Sequence, residues 1–462
     1  MLATVYLKDW DFVLAPAYMF VFYQAALFYQ KSKQSDNPHY RYFANGLLIK
    51  MVGGFIFCLV YSYYYKGGDS TQYHASSVAL NRLSFKKFST FLKLMGGDRS
   101  VENYFDFDFK TGWPEFWWDP QSFAVVRFSS LLQYFSFDLY MPATMVLCVI
   151  TYSGIWRLYL VFVDLYPHLY KVFALSVLFV PSICFWGSGI MKDSYTLAGS
   201  CWVTYCVYNI FIKKSNIALN VFSLFVAAFI VIRLKPYIFV SQILALFFWI
   251  ASDNLFRIKN VFFRLTIGPF IFSVFLGISF LFLSLIKGQL GVYSSLDSIL
   301  LKASETQNDL KQEYNKGNSF DIGSFDPTLA GIASKFFPAL MAGMFRPYLW
   351  DAKNIMMVFS ALENTLIFLF LLYMVVKYGP SKFFSNIFSE PVVFFCLAFA
   401  LFFSFSVGLT TANFGSLVRY KIPQTAYLIT GLVLIWRNLK KQRARGSRGV
   451  KYKSRVMSNA LN

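Results

Sequence analysis

Apolar runs of 16 to 25 residues recur along the whole chain, each closed off by charges, proline or glycine. Eleven can be drawn, at 11–29, 43–65, 139–163, 169–190, 194–212, 216–232, 236–252, 263–286, 354–376, 391–409 and 421–436. At 1.5 Å of rise per residue, a helix of this length approaches or crosses the ~30 Å hydrocarbon core of a bilayer. Composition agrees: 57% of residues are hydrophobic, only 14% are charged, and the mean hydropathy is +0.49. Soluble domains hold roughly 45–50% apolar residues, so a water-soluble enzyme is excluded. The expected fold is an all-α polytopic integral membrane protein with about eleven transmembrane helices and two long extracytoplasmic loops containing interfacial helices.

The 43 Lys+Arg against 23 Asp+Glu would suggest a nucleic-acid partner in a soluble protein. In a membrane protein the excess must first be placed relative to the bilayer. Much of it lies in RNLKKQRARGSRGVKYKSR, Arg437 to Arg455, which holds no acid. Residues 437–462 are therefore read as a basic cytoplasmic tail beside anionic lipid, and no nucleic acid is expected. The stretch 121–137 is short and carries Arg127, so it is expected to be interfacial or re-entrant. Counting back from the tail, Lys31 and Lys33, Arg157 and Lys171, Lys213 and Lys214, and Lys377 and Lys382 then all fall inside. The expectation is one transmembrane domain over 1–436, N-terminus outside and C-terminus cytoplasmic, with outer loops at about 66–138 and 287–353. The first apolar run is expected to be a retained span, for no basic leader and cleavage site precede it. Cysteines at 58, 148, 184, 201, 206 and 396 lie in or beside apolar runs without a CxxC pair, which implies neither a disulfide framework nor a zinc site.

The unusual residues sit on the outer face of this topology. GGDSTQYH places Asp69 after a Gly-Gly turn, with Tyr73 and His74 within reach, where its carboxylate can act as a base or cap the next helix. In PSICFWGSGIMKDS, Pro181 breaks a helix and Gly/Ser residues keep the backbone irregular before Lys192 and Asp193. Irregular backbone at membrane depth is tolerated where protein or a water-filled cavity surrounds it. IRLKPY puts Arg233 and Lys235 in a turn too short to leave the membrane surface. FRPYLWDAKNIMMVFSALENT supplies Arg346, Asp351 and Glu363, the last about two turns inside a span, where a carboxylate is functional or paired with a cation. TTANFGSLVRYKIPQ supplies Arg419 and Lys421. Lys192, Arg233, Lys235, Arg346 and Arg419 thus share one face with Asp69, and their simplest common ligand is an anion.

A phosphate or diphosphate suits this set, since arginine forks bind its oxygens in pairs and lysine adds point charge. At bilayer depth it points to a polyprenyl-(di)phosphate-linked sugar, with the lipid phosphate leaving and a carboxylate such as Asp69 deprotonating the acceptor hydroxyl. Asp193, Asp351 and Glu363 are the further catalytic candidates. No P-loop or GxGxxG motif is present. Asp106 and Asp108 could share a divalent cation, the one metal reading available, but the aromatic alternation around them favours a loop that contacts substrate.

The order GDxxxY, PSxxFWxSGxxKDS, RxKP, RPYxWDAxNxxxxxxALENT and NFGSLVRYKIP, from Gly68 to Pro423, resembles a group of uncharacterised bacterial membrane proteins of exopolysaccharide and cell-surface glycan clusters. These are likened to O-antigen or oligosaccharide repeat-unit polymerases and to C-type membrane glycosyltransferases. The chain departs from the latter in placing its first acidic loop after the second span. The resemblance implies a glycosyltransferase or glycan polymerase of the bacterial inner membrane. It places Asp69, Lys192, Asp193, Arg346, Asp351, Glu363 and Arg419 at motif positions. Two other classes stay open: a transporter or flippase for an anionic lipid-linked glycan, and a non-catalytic membrane assembly protein.

Overall fold

The computed structural model of the chain describes residues 7–256, 319–323 and 328–459, together with 301, 304, 305 and 326. Among the described residues every regular element is helical, and the only extended pairing is an isolated antiparallel bridge between Ser319 and Asn413. Six of the described helices are long and apolar enough to cross a membrane: Asp9–Gln34, Pro38–Tyr64, Tyr140–Leu165, Ile217–Leu234, Ile355–Tyr378 and Pro391–Thr410. The chain is thus an all-helical protein with several candidate membrane spans. The apolar run 263–286 and most of the loop 287–353 lie outside the described residues. Where the sequence reads as one transmembrane domain, the described residues divide into two compact units, one ending at Val240 and one beginning at Ser241.

The first unit begins with α1 (Asp9–Gln34), whose Asp11 accepts from the backbone N–H groups of Lys8 and Met141, both at 2.8 Å. Helix α2 (Phe43–Leu59) runs on through a π turn, Val60–Tyr64. Lys66, Gly67 and Gly68 then take φ of 55°, 115° and 133°, and only glycine adopts the last two cheaply. That turn delivers α3 (Asp69–Lys86). Helices α4 (Phe88–Gly96), α5 (Val101–Tyr104) and α6 (Pro120–Gln133) follow, so the expected loop 66–138 is largely a helical layer.

Helix α6 starts on a clear signal: Asp119 caps it by accepting from Gln121 N at 2.9 Å, and Pro120 fills the first helical position. Its 14 residues reach about 21 Å, short of a span. The stretch 121–137, expected to be interfacial or re-entrant, is covered by α3, α11 (Ile217–Leu234) and α7 (Tyr140–Leu165), and ten residues of α6 are buried.

Helix α7 is the centre of the unit, contacted by α1, α2, α6 and α10 (Lys192–Val207). The run 169–190, drawn as one helix from hydropathy, is broken into α8 (Tyr170–Phe173), a π turn at Ala174–Leu178, extended Val180 and α9 (Pro181–Trp186). The irregular Gly187–Gly189 stretch is held from α2. Lys50, 2% exposed, donates to Gly187 O at 2.5 Å and Ser188 Oγ at 3.4 Å. The approach is so close that a Cβ on Gly53 would lie 2.0 Å from Cys184 O, and one on Gly189 would meet the Phe57 ring. A π turn at Tyr208–Lys213 extends α10, which packs on α11 (Ile217–Leu234), and α12 (Pro236–Phe256) begins two residues later.

In the second unit α13 (Leu329–Ser334) precedes α14 (Phe336–Phe345), then α15 (Ile355–Tyr378), α16 (Pro380–Ile387), α17 (Pro391–Thr410), α18 (Phe414–Tyr420) and α19 (Ile422–Asn459). Helix α17 packs against both α14 and α19. The boundary drawn at 436 between domain and tail is no structural break, for α19 runs unbroken across it and Arg437 pairs with Glu390.

Candidate functional site

The chemistry-bearing residues of the first unit gather where α10 starts, α11 ends and α6 starts. Because α10 and α11 pack side by side, residues 42 positions apart meet: Asp193, in the first turn of α10, forms an ion pair with Lys235, just past the end of α11. Both side chains are buried, at 2% and 5% exposure. A pair so enclosed is held because removing either partner strands a charge. The neighbouring Lys192 reaches the other way, to Asp119 Oδ2 at 3.4 Å. Burial favours the neutral form of Asp119, but the Lys192 charge and hydrogen bonds from Ser122 and Gln121 outweigh it and hold the carboxyl below its usual range.

Three arginines adjoin this group. Arg127 on α6 is 6% exposed, its guanidinium stands 5.2 Å from the centre of the Phe123 ring, and Arg99 lies over the same ring at 5.9 Å. Arg99 Nη1 donates to Trp117 O at 2.6 Å. Arg233, at the end of α11, acts electrostatically on both. Burial lowers the Arg127 pKa to about 10, with the charges of Arg233 and Arg99 adding to the effect. Burial and the Arg233 charge also lower that of Arg99, against the pull of Asp119.

Asp69 sits at the first position of α3, exposed, and Gly68 occupies the cap position. One turn later Tyr73 donates to Ser122 Oγ at 3.0 Å, Ser122 bonds Asp119, and Asp119 holds Lys192. A hydrogen-bonded chain thus connects the Asp69 end of α3 to the start of α10. His74 is enclosed, its Nε2 without a partner, and burial followed by the Lys8 charge lowers its pKa to about 3. It borders a cavity of about 340 Å³ with Thr71, Arg82, Trp113, Asp138 and Tyr140.

Asp106 and Asp108 are each engaged separately. Asp106 accepts from Lys87 at 2.8 Å and Thr90 at 2.6 Å, while Asp108 takes backbone N–H groups of Lys110 and Thr111 and an ion pair with Lys86 at 3.0 Å. These bonds hold both carboxyls below their usual range. Among the described residues no cluster of three or more His, Cys, Asp or Glu could hold a metal ion.

In the second unit the buried cation is Lys421, between α18 and α19. Its Nζ donates to Asn364 Oδ1 at 2.6 Å, Arg346 O at 2.9 Å and Met344 O at 3.4 Å, and the Glu363 carboxylate acts on it electrostatically. The carboxylate expected inside a span thus has a cation in its field. Asn364 returns hydrogen bonds to Arg346 O and Pro347 O. The Arg346 guanidinium lies 5.5 Å from the centre of the Phe320 ring, with its Nε 3.8 Å from Asp351 Oδ2, and Asp351 caps its own turn through Tyr348 N. Arg419 Nε donates to Gly415 O at 3.3 Å within α18.

No protein-family profile, curated protein or solved structure matches the chain. The sequence-derived set therefore divides into Asp69, Lys192, Asp193, Arg233 and Lys235 in the first unit and Arg346, Asp351, Glu363 and Arg419 in the second. Sequence reasoning missed Arg99, Asp119, Arg127 and Lys421 as site residues. Asp119 was signalled by its Asp-Pro helix start, and Arg127 by lying in an otherwise coverable apolar stretch.

Proposed function

We propose that the chain is a membrane glycosyltransferase or glycan polymerase acting at the extracytoplasmic face on polyprenyl-(di)phosphate-linked sugars. The observation that carries this reading is the meeting of Lys192, Asp193, Arg233 and Lys235 from two helix ends beside the Asp119–Ser122–Tyr73 chain. Departure of a lipid phosphate builds negative charge, and pre-placed cations stabilise it more in the transition state than in the ground state. Asp193 holds Lys235 in position, and Asp119 does the same for Lys192. Asp69, exposed at the start of α3, is a carboxylate that a solvent-borne or membrane-borne acceptor can reach, and it serves as the base for the acceptor hydroxyl. The residue order shared with glycan-cluster membrane proteins supports the same reading. The apolar runs and the distribution of basic residues support eleven spans, an extracytoplasmic site and a cytoplasmic tail.

The test is made in cells that depend on the chain for surface glycan. Its loss should leave the lipid-linked saccharide accumulated, and Asp69→Asn, present at wild-type level, should fail to clear it, with turnover reduced ~10²-fold or more. Normal glycan with Asp69→Asn removes the base assignment. Normal glycan and no accumulation without the chain removes the enzyme.

A further inference from the structure

The arginine group of the first unit has a feature that packing does not account for. Arg127 is buried, yet its Nε and Nη2 have no hydrogen-bond partner among the described residues. Guanidinium donors enclosed without acceptors are costly, and proximity to like charge makes them more so. Here Arg99 shares the Phe123 ring with Arg127, and Arg233 bears electrostatically on both. The carboxylates where α6 and α10 start are committed elsewhere: Asp119 to Lys192, Ser122 and the α6 cap, Asp193 to Lys235. Trp117, whose carbonyl takes Arg99, has its own Nε1 enclosed without a partner. Three buried lysines behave differently: Lys50 donates to Gly187 O, Lys421 to Arg346 O, and Lys235 pairs with Asp193.

We propose that Arg99, Arg127 and Arg233 form the seat of a phosphate or diphosphate group. Each planar fork can take two oxygens of a tetrahedral phosphate, which a carboxylate or halide does not offer to three forks at once. Three positive charges suit a dianionic or trianionic group, and Arg99 and Arg127 arrive pre-positioned on one aromatic face. The seat stands on the arginine geometry alone and rests on the glycan-transfer reading only for the polyprenyl lipid to which the phosphate is attached.

The test uses the full chain purified in zwitterionic phosphatidylcholine nanodiscs, titrated calorimetrically with inorganic pyrophosphate and, separately, with farnesyl diphosphate. Both should bind the wild type. Arg127→Met and Arg233→Gln should each weaken pyrophosphate at least ~10-fold, the effect of losing one charge-assisted pair. Arg127→Lys should also weaken it, because an ammonium does not replace a fork, and this variant keeps the test open should Arg127→Met not fold. Arg82→Gln, whose partner is Asp138, should bind as wild type. Tighter farnesyl diphosphate than pyrophosphate assigns a lipid-borne group, and equal affinities assign a free diphosphate in the same seat. Undetectable binding of both probes, or wild-type affinity in Arg127→Met and Arg127→Lys, overturns the proposal. Arginine-dependent binding without any glycan turnover would keep the seat and remove the transferase, whereas turnover with unchanged binding in the variants would do the reverse.

Discussion

Lys421 in the second unit and Arg127 in the first are both buried cations in an apolar protein, and the fold treats them oppositely. Three oxygens surround the Lys421 ammonium, two from the backbone of 344–346 and one from Asn364, with Glu363 adding field. Arg127 has an aromatic ring beneath it, two other arginines near it and enclosed nitrogens without acceptors. A cation whose donors are all answered by its own chain fastens α14, α15 and α18 together. One whose donors are unanswered is held ready for something the chain does not itself contain. The distinction separates a structural charge from a binding charge more sharply than burial does, since Lys421 and Arg127 are 4% and 6% exposed.

The largest effect is expected where a pair is fully enclosed. Lys235→Met strands the Asp193 carboxylate and should cost about 3–5 kcal/mol, read by denaturant unfolding in micelles. Adding Asp193→Leu should restore most of it, since the stranded charge is then gone. A single variant as stable as wild type would mean that the pair is not closed to solvent. Next comes Lys421→Met, which takes the lysine donor from Met344 O and Asn364 Oδ1 while Arg346 O keeps Asn364 Nδ2, and which should cost about 2–3 kcal/mol in the same measurement. Arg127→Met should lie within about 1 kcal/mol of wild type or above it, since it removes an unanswered charge and leaves no acceptor orphaned. Losses of equal size in the last two variants would break the comparison.

These contrasts also mark what the sequence could reveal. The Lys192-Asp193 and Arg233/Lys235 positions were legible because Pro181, the Gly/Ser run and a two-cation turn all defy a plain helical hairpin. Their mutual pairing was not, since hydropathy fixes where helices lie and says nothing of which ends adjoin. Arg127 was noticed only as a reason for 121–137 not to span, because an arginine among serines and aromatics also reads as a membrane-surface residue. Arg419 was preferred to Lys421, though the latter is the one enclosed, as two cations two residues apart in a turn give no signal of which faces inward. The π turns at 60–64, 174–178 and 208–213 and the division at Val240 leave hydropathy unchanged and so escape it.

A pH dependence is also expected in the first unit. The folded pKa of His74 lies near 3, below the ~6.5 of an unfolded chain. Between those values the unfolded state binds a proton that the folded state refuses, so stability is full above pH 6.5 and falls as pH drops toward 3. His74→Gln should flatten the thermal-stability profile across that window, and an unchanged slope would mean that His74 titrates normally.

Glycan transfer itself is tested most directly by reconstituting the purified chain in liposomes with a polyprenyl-diphosphate-linked saccharide and following product by chromatography. The account predicts extension of the saccharide with release of polyprenyl diphosphate, lost in Asp69→Asn although the lipid donor still binds. Movement of intact donor between leaflets with no new glycosidic bond, in wild type and variant alike, would contradict it.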